Sequence, residues 1–118
     1  MRRDPRSFLW DVRDAADAIF GFVEGRVFSD YVADRMFRSA IERQFEIVGE
    51  ALSQLARVDA ALATRIPELR RIAGFRNVLI HGYDRIDDRV VWRAISDDLP
   101  PLRAQVAALL TERGDLPG

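Results

Sequence analysis

Eight consecutive residues, Arg76-Asn77-Val78-Leu79-Ile80-His81-Gly82-Tyr83, bring a cation, an amide, an imidazole and a phenol together two-thirds of the way along the chain. His81 is the sole histidine. An imidazole with an unperturbed pKa of about 6.5 gives and takes protons near neutral pH. An arginine makes bidentate, charge-assisted hydrogen bonds to phosphate through its planar fork. The pair therefore suits proton transfer beside a phosphate, for which a phenol with a pKa near 10 is a poorer base.

The element that must position these groups is a predicted helix from Pro67 or Glu68 to His81, closed by Gly82 in the left-handed conformation that glycine adopts cheaply. On an ideal wheel Leu69, Ile72, Ala73 and Ile80 form its apolar stripe, and Arg76 falls inside that stripe. A guanidinium there is partly desolvated and requires a partner. Asn77 and His81, at i and i+4, share a neighbouring face. Arg76 and His81 stand about 140° apart, so one helix does not easily aim both at one small substrate. Two copies packed as a symmetric homodimer could each supply half of a shared cleft. A purely structural reading stands beside this one: Arg76 pairs with Glu50, and His81 serves as an electrostatic cap at the helix C-terminus.

Composition narrows the class. A chain of 118 residues, 48% hydrophobic and 31% charged, fits one soluble globular domain spanning 1–118. All 18 basic residues are arginine and they face 19 acids, for a net charge of -1. No bulk positive field advertises a nucleic-acid partner, so any such contact must be local. Cysteine is absent, which removes disulfides, thiolate chemistry and sulfur-based zinc sites. A single histidine cannot build a closed histidine-rich metal site within one chain, so no metal or other cofactor is expected. No apolar run approaches the roughly 20 residues needed to span a bilayer, and the Met1-Arg2-Arg3-Asp4-Pro5 start has no signal-peptide core. The expectation is a cytoplasmic protein without a membrane partner.

The remaining elements are all helical. Asp4 caps and Pro5 opens a first helix to about Glu24, with Phe8, Val12, Ala15, Ala16, Ile19, Phe22 and Val23 on its apolar side and Gly25 ending it. A second start is expected at Ser29, with Phe28 before it and Val32 or Ala33 as staple. From there to about Arg57, Val32, Met36, Ala40, Ile41, Phe45, Val48, Leu52 and Leu55 keep one stripe. That is either one long helix or a short helix bent into a longer one near Asp34-Arg35. Arg43, Glu46 and Glu50 lie opposite this stripe, as a solvated polar face would. Gly49 inside the helix costs about 1 kcal/mol against alanine, which a close helix–helix or subunit crossing would explain. Asp59 caps a short alanine-rich helix. Asp87 or Asp88 starts another with Val90, Val91, Trp92 and Ile95, and Asp97-Asp98-Leu99-Pro100-Pro101 kinks or restarts it. Leu102, Val106, Leu109 and Leu110 carry a last helix to about Arg113, and 114–118 form a loose tail. The fold class is all-α, an up-and-down bundle of four to five helices.

At this point the residues resemble a family. Arg76-x4-His81-x-Tyr83 is similar to the motif of the HepT-like toxins of the HEPN superfamily, which are encoded beside a minimal nucleotidyltransferase antitoxin. Arg43-Gln44-Phe45-Glu46-Ile47-Val48-Gly49-Glu50-Ala51 resembles their Arg-x4-(Ile/Val)-Gly-Glu-Ala signature. Ala33-Asp34-Arg35, Ile72-Ala73-Gly74-Phe75-Arg76-Asn77 and Asp97-Asp98-Leu99-Pro100-Pro101-Leu102 also look like family positions, so the likeness runs along most of the chain. Many relatives carry an acidic or bulky residue where this chain has Gly82.

The resemblance implies an HEPN-like bundle and a metal-independent endoribonuclease, the toxin of a type II/VII toxin–antitoxin pair working as a homodimer on RNA. RNA carries an internal nucleophile in its 2′-hydroxyl, so cleavage needs proton transfer and phosphate stabilisation but no metal. His81 would move the proton and Arg76 would brace the phosphate, with Asn77, Glu50 and Arg43 as supporting polar groups. Tyr83 would be the residue to which the nucleotidyltransferase attaches AMP. The competing expectation is a non-catalytic subunit that docks the nucleotidyltransferase and never cuts RNA.

Overall fold

A computed structural model of the chain describes residues 3–81 and 87–114, with residues 77, 78, 80 and 81 described as backbone only. The Asp4 carboxylate accepts from the Arg6 N–H at 2.9 Å and, with Pro5 in the first turn, starts α1 (Pro5–Val23). Gly25, at φ 73°, turns the chain out of it. Next come α2 (Phe28–Ala33) and α3 (Arg35–Val58). Asp34 between them is extended, and its side chain caps α3 by accepting from the Phe37 N–H at 3.1 Å. The continuous-helix alternative is thereby excluded. The N-cap of α2 is Val27 rather than Ser29, and Asp30 in the first turn reaches back to accept from the Val27 N–H at 2.9 Å.

Asp59 accepts from the Leu62 N–H at 3.0 Å and starts α4 (Ala60–Ala63). The helix α5 (Leu69–His81) begins after a turn at Pro67-Glu68, slightly later than the sequence suggests. Asp87 caps α6 (Asp88–Asp97) through the Arg89 N–H at 2.9 Å, and Pro100-Pro101 lie in the first turn of α7 (Leu99–Glu112). The architecture is all-α, as expected, and no strand occurs among the described residues. Five helices have ten residues or more, and α2 and α4 are the short additions.

The core is organised around α3, which packs against both α1 and α5, while α7 packs against α1 and α6 against α7 and α2. Along α3 the buried residues are Phe37, Ile41, Phe45, Val48, Gly49, Ala51, Leu52 and Leu55. Val32 and Met36, expected on this stripe, are 45% and 79% exposed. The break at Asp34 resets the helix axis, which takes Val32 off the stripe; Met36 is on α3 itself, about 100° round from Phe37, and Phe37 fills the core place. Tyr31 takes the core place of Val32, in an aromatic cluster with Trp92 (ring centroids 5.6 Å apart) and Phe37 (6.2 Å). Phe22 and Val90 are likewise exposed rather than buried. Val90 and Val91 sit about 100° apart on α6, and Val91 occupies the core. Two pairs tie α7 to the rest: Arg103 with Asp17 of α1 at 2.9 Å, and a two-pronged Arg65–Glu112 contact at 2.6 and 2.8 Å. Exposed pairs of this kind add little stability; burial of the apolar stripes does most of it.

Tyr31 is wholly buried, and its hydroxyl makes no well-formed hydrogen bond among the described residues, the Glu42 carboxyl being at best a weak partner. Burial, and then the negative charges of Glu42 and Asp88, push its phenol above the ordinary range. Burial also raises the Glu42 carboxyl. A buried polar group left unsatisfied costs about 1–3 kcal/mol. Tyr31→Phe is therefore expected to leave stability unchanged or raise it by about 1 kcal/mol, read from the urea unfolding midpoint. A loss of more than about 1 kcal/mol would mean that the hydroxyl is satisfied after all.

Candidate active site

Arg76 sits at the centre of the stripe that α5 turns toward α3. Leu69, Ile72 and Leu79 are buried around it at i, i+3 and i+10, with Arg76 at i+7. Leu79, which the wheel leaves off this stripe, is buried, and the side chain of Ile80 lies outside the described residues. Two features of α3 accommodate a cation at such a position. The first is Gly49: a methyl group there would overlap the Arg76 Cβ and come within 3.0 Å of its Cγ and Cδ. The helical glycine is thus explained by a crossing of α3 and α5 within one chain, and it gives no argument for a subunit crossing. The second is Glu50, whose Oε2 lies 2.8 Å from the Arg76 Nη2. Its other oxygen, Oε1, accepts from Gln54 Nε2 at 3.1 Å, one turn further along α3. On the opposite flank the Phe45 and Phe75 rings meet edge to face at 5.3 Å.

The Arg76 and Glu50 side chains are 27% and 42% exposed, so the pair is neither solvated nor sealed. It opens into a cleft of about 180 Å³ between α1, α3 and α5. Along α3, Arg43, Glu46, Glu50 and Gln54 line this cleft, with Phe8 and Asp11 contributed by α1. The Arg3 guanidinium covers the Phe8 ring at 4.4 Å and pairs with Asp11 at 3.0 Å, forming one rim. The polar face of α3 is therefore not simply wetted; it is one wall of a recess that Arg76 also lines. Arg43, Glu50 and Arg76, all anticipated from the sequence, are brought to one place. Phe8, Asp11, Arg3 and Gln54 were not anticipated. Only Gln54 had a local signal, at i+4 from Glu50; the others depend on how α1 packs.

His81 is the last residue of α5. Five residues of helix place its backbone about 7.5 Å along the axis from Arg76 and about 140° around it. The side chains of Asn77 and His81 lie outside the described residues, as do Gly82, Tyr83 and the turn to Ile86. The expected tail beyond Gly114 lies outside them too. Among the described residues no group of three or more His, Cys, Asp or Glu side chains is placed to hold a metal ion. No helix among them is long and apolar enough to cross a membrane.

The chain is thus a helical bundle in which an arginine paired with Glu50 lines a cleft, five residues before the sole histidine. The sequence matches the ribonuclease HepT-like family across residues 12–109, and the chain belongs to that family. Among its relatives is a "Probable ribonuclease HepT" of Thermococcus cleftensis, 32% identical over 92% of this chain and 98% of the relative. A "Putative RNase" of Caldanaerobacter subterraneus subsp. tengcongensis is 32% identical over 92% and 96% of the two chains. A third, a "Putative RNase" of Methanocaldococcus jannaschii, is 29% identical over 89% and 95%. No solved structure matches the chain.

Proposed function

We propose that this chain is an endoribonuclease that cleaves RNA through the RNA's own 2′-hydroxyl without a metal ion, and that it is the toxin of a toxin–antitoxin pair. The observation that supports this most is Arg76, held at the end of a cleft by Glu50 on a helix that finishes at the sole histidine. The names of relatives matching nearly end to end point to a ribonuclease, the coarser part of this reading. In this reading His81 removes the proton from the 2′-hydroxyl and the resulting oxygen attacks the adjacent phosphorus. The P–O5′ bond breaks, the leaving 5′-oxygen takes up a proton, and a 2′,3′-cyclic phosphate remains. Arg76 offsets the charge that builds on the phosphate oxygens. The protein works as a homodimer in the cytoplasm, with Arg76 of one copy and His81 of the other completing each site. A minimal nucleotidyltransferase silences it by attaching AMP to Tyr83.

The test is cleavage of a labelled RNA and of the matching DNA, each with and without EDTA. Products ending in cyclic or 3′-phosphate, unaffected by EDTA, with DNA spared, are the expected outcome. Metal-dependent cutting, or equal cutting of DNA, overturns the mechanism. The non-catalytic docking subunit remains the second reading because the cleft balances Arg3, Arg43 and Arg76 against Asp11, Glu46 and Glu50, with no excess positive charge to draw in RNA. It predicts no cleavage by the wild-type protein under any of these conditions.

A further inference from the structure

We propose that Glu50 and Gln54 are positioning residues for Arg76: together with the clearance at Gly49 they fix its guanidinium at the floor of the α1/α3/α5 cleft before substrate arrives. The inference rests on the reading of Arg76 as the phosphate brace. An arginine side chain is long and rotamer-rich, and its planar fork acts on a phosphate only when held in one orientation. Here it is held at both ends. Its Cβ and Cγ lie against the bare backbone of Gly49, where any other residue would push them away. Its far end meets Glu50 Oε2 at 2.8 Å. Glu50 is itself fixed, because Gln54 Nε2 donates to Oε1 at 3.1 Å. All three holding groups stand within six residues of one helix, α3, so the support is as rigid as the helix.

Charge decides what this arrangement is for. A carboxylate beside a phosphate-binding cation weakens attraction for the anionic substrate, so Glu50 does not serve affinity. What it supplies is direction: with the carboxylate fixed on α3, the guanidinium keeps one heading at the cleft. The two effects have opposite signs, and that separates a positioning role from a merely structural one.

The experiment compares Glu50→Gln, Glu50→Ala and Gln54→Ala with wild type in steady-state RNA cleavage. For Glu50→Ala, kcat is expected to fall by about ten- to a hundred-fold, the cost of a small misplacement, while KM stays level or drops by about two- to five-fold as the opposing charge is removed. Glu50→Gln, which keeps an oxygen acceptor at nearly the same place, recovers most of kcat, and Gln54→Ala loses less than Glu50→Ala. Unchanged kcat in folded Glu50→Ala, or a KM that rises with an unchanged kcat, overturns the proposal. A second readout does not depend on activity. In 15N-labelled protein at low temperature the Arg76 Nη–H resonances, assigned by their loss in Arg76→Lys, are expected to be dispersed and slow to exchange through the Nη2–Glu50 contact, and to collapse toward the free-arginine position in Glu50→Ala. If wild type cuts no RNA, the functional reading fails, and the resonances alone decide whether Glu50 holds Arg76. Resonances unmoved by Glu50→Ala sink the inference even if RNA is cut.

Discussion

Replacing His81 by alanine is expected to lower RNA cleavage by about 10²–10⁴-fold, the usual contribution of a positioned acid–base group. Arg76→Ala is expected to cost about 10²–10³-fold, comparable to removing one preorganised donor from a developing oxyanion. Each variant alone is nearly inactive, but the two mixed together are not equivalent to either. The backbone of α5 sets Arg76 and His81 about 140° apart around one axis, which favours a site assembled from two copies. In a mixed dimer, one composite site then carries both substitutions and the other carries neither. With random pairing about half the dimers are mixed, and each has one intact site of two, so about a quarter of wild-type activity returns. The measurement is cleavage rate after co-refolding or prolonged co-incubation of the two variants. Recovery near that fraction supports a site shared across the dimer. No recovery, with mixed dimers demonstrated by mass spectrometry, would place Arg76 and His81 of the same copy in one site. A protein that sediments only as a monomer at micromolar concentration would remove the shared site altogether.

Tyr83→Phe is expected to keep most of the cleavage activity and to escape silencing by the co-expressed nucleotidyltransferase. The phenol, with an ordinary pKa near 10, is a poor proton acceptor at pH 7 beside an imidazole two residues away, so its loss costs the chemistry little. In the proposed adenylyl transfer its hydroxyl is the nucleophile: the tyrosine oxygen attacks the α-phosphorus of ATP, and pyrophosphate leaves. The product carries a new negative charge and a purine, both hostile to an anionic polymer entering nearby. In cells the difference is between growth and arrest. On the purified pair it is an added adenylyl mass on the Tyr83 peptide, absent in Tyr83→Phe. Silencing that persists with Tyr83 unmodified would make the partner an occluding subunit instead.

The parts of this molecule legible in the sequence are those decided within a few residues. Asp4, Asp59 and Asp87 announce helix starts because a short carboxylate satisfies backbone N–H groups two or three positions away. Arg76 was visible as an anomaly because helix periodicity alone puts it on an apolar stripe, and burial then demands a partner; Glu50 provides it. What could not be read is what depends on a change of axis or on a distant element. The break at Asp34 shifts the phase of the stripe, so Tyr31 and not Val32 reaches the core, and one helical step separates the exposed Met36 from the buried Phe37. The α1 side of the cleft, Phe8 and Asp11, has no signature because only the packing of α1 on α3 brings it there. Gly49 was recognised as needing a close neighbour, but whether that neighbour belonged to the same chain was a tertiary question.

The helical glycines have a practical consequence for anyone seeking a hardier version of this protein. Exchanging a helical glycine for alanine is a routine stabilising step, since it removes backbone freedom from the unfolded chain. At Gly21 in α1 and Gly74 in α5 a methyl group meets nothing within 4 Å, and the step is open. At Gly49 the same exchange drives α3 off α5 and pushes Arg76 from its seat. A library scored only on melting temperature would discard that substitution for its instability and accept the other two. Thermal selection would thus guard the cleft floor on its own, without any assay of what the cleft does.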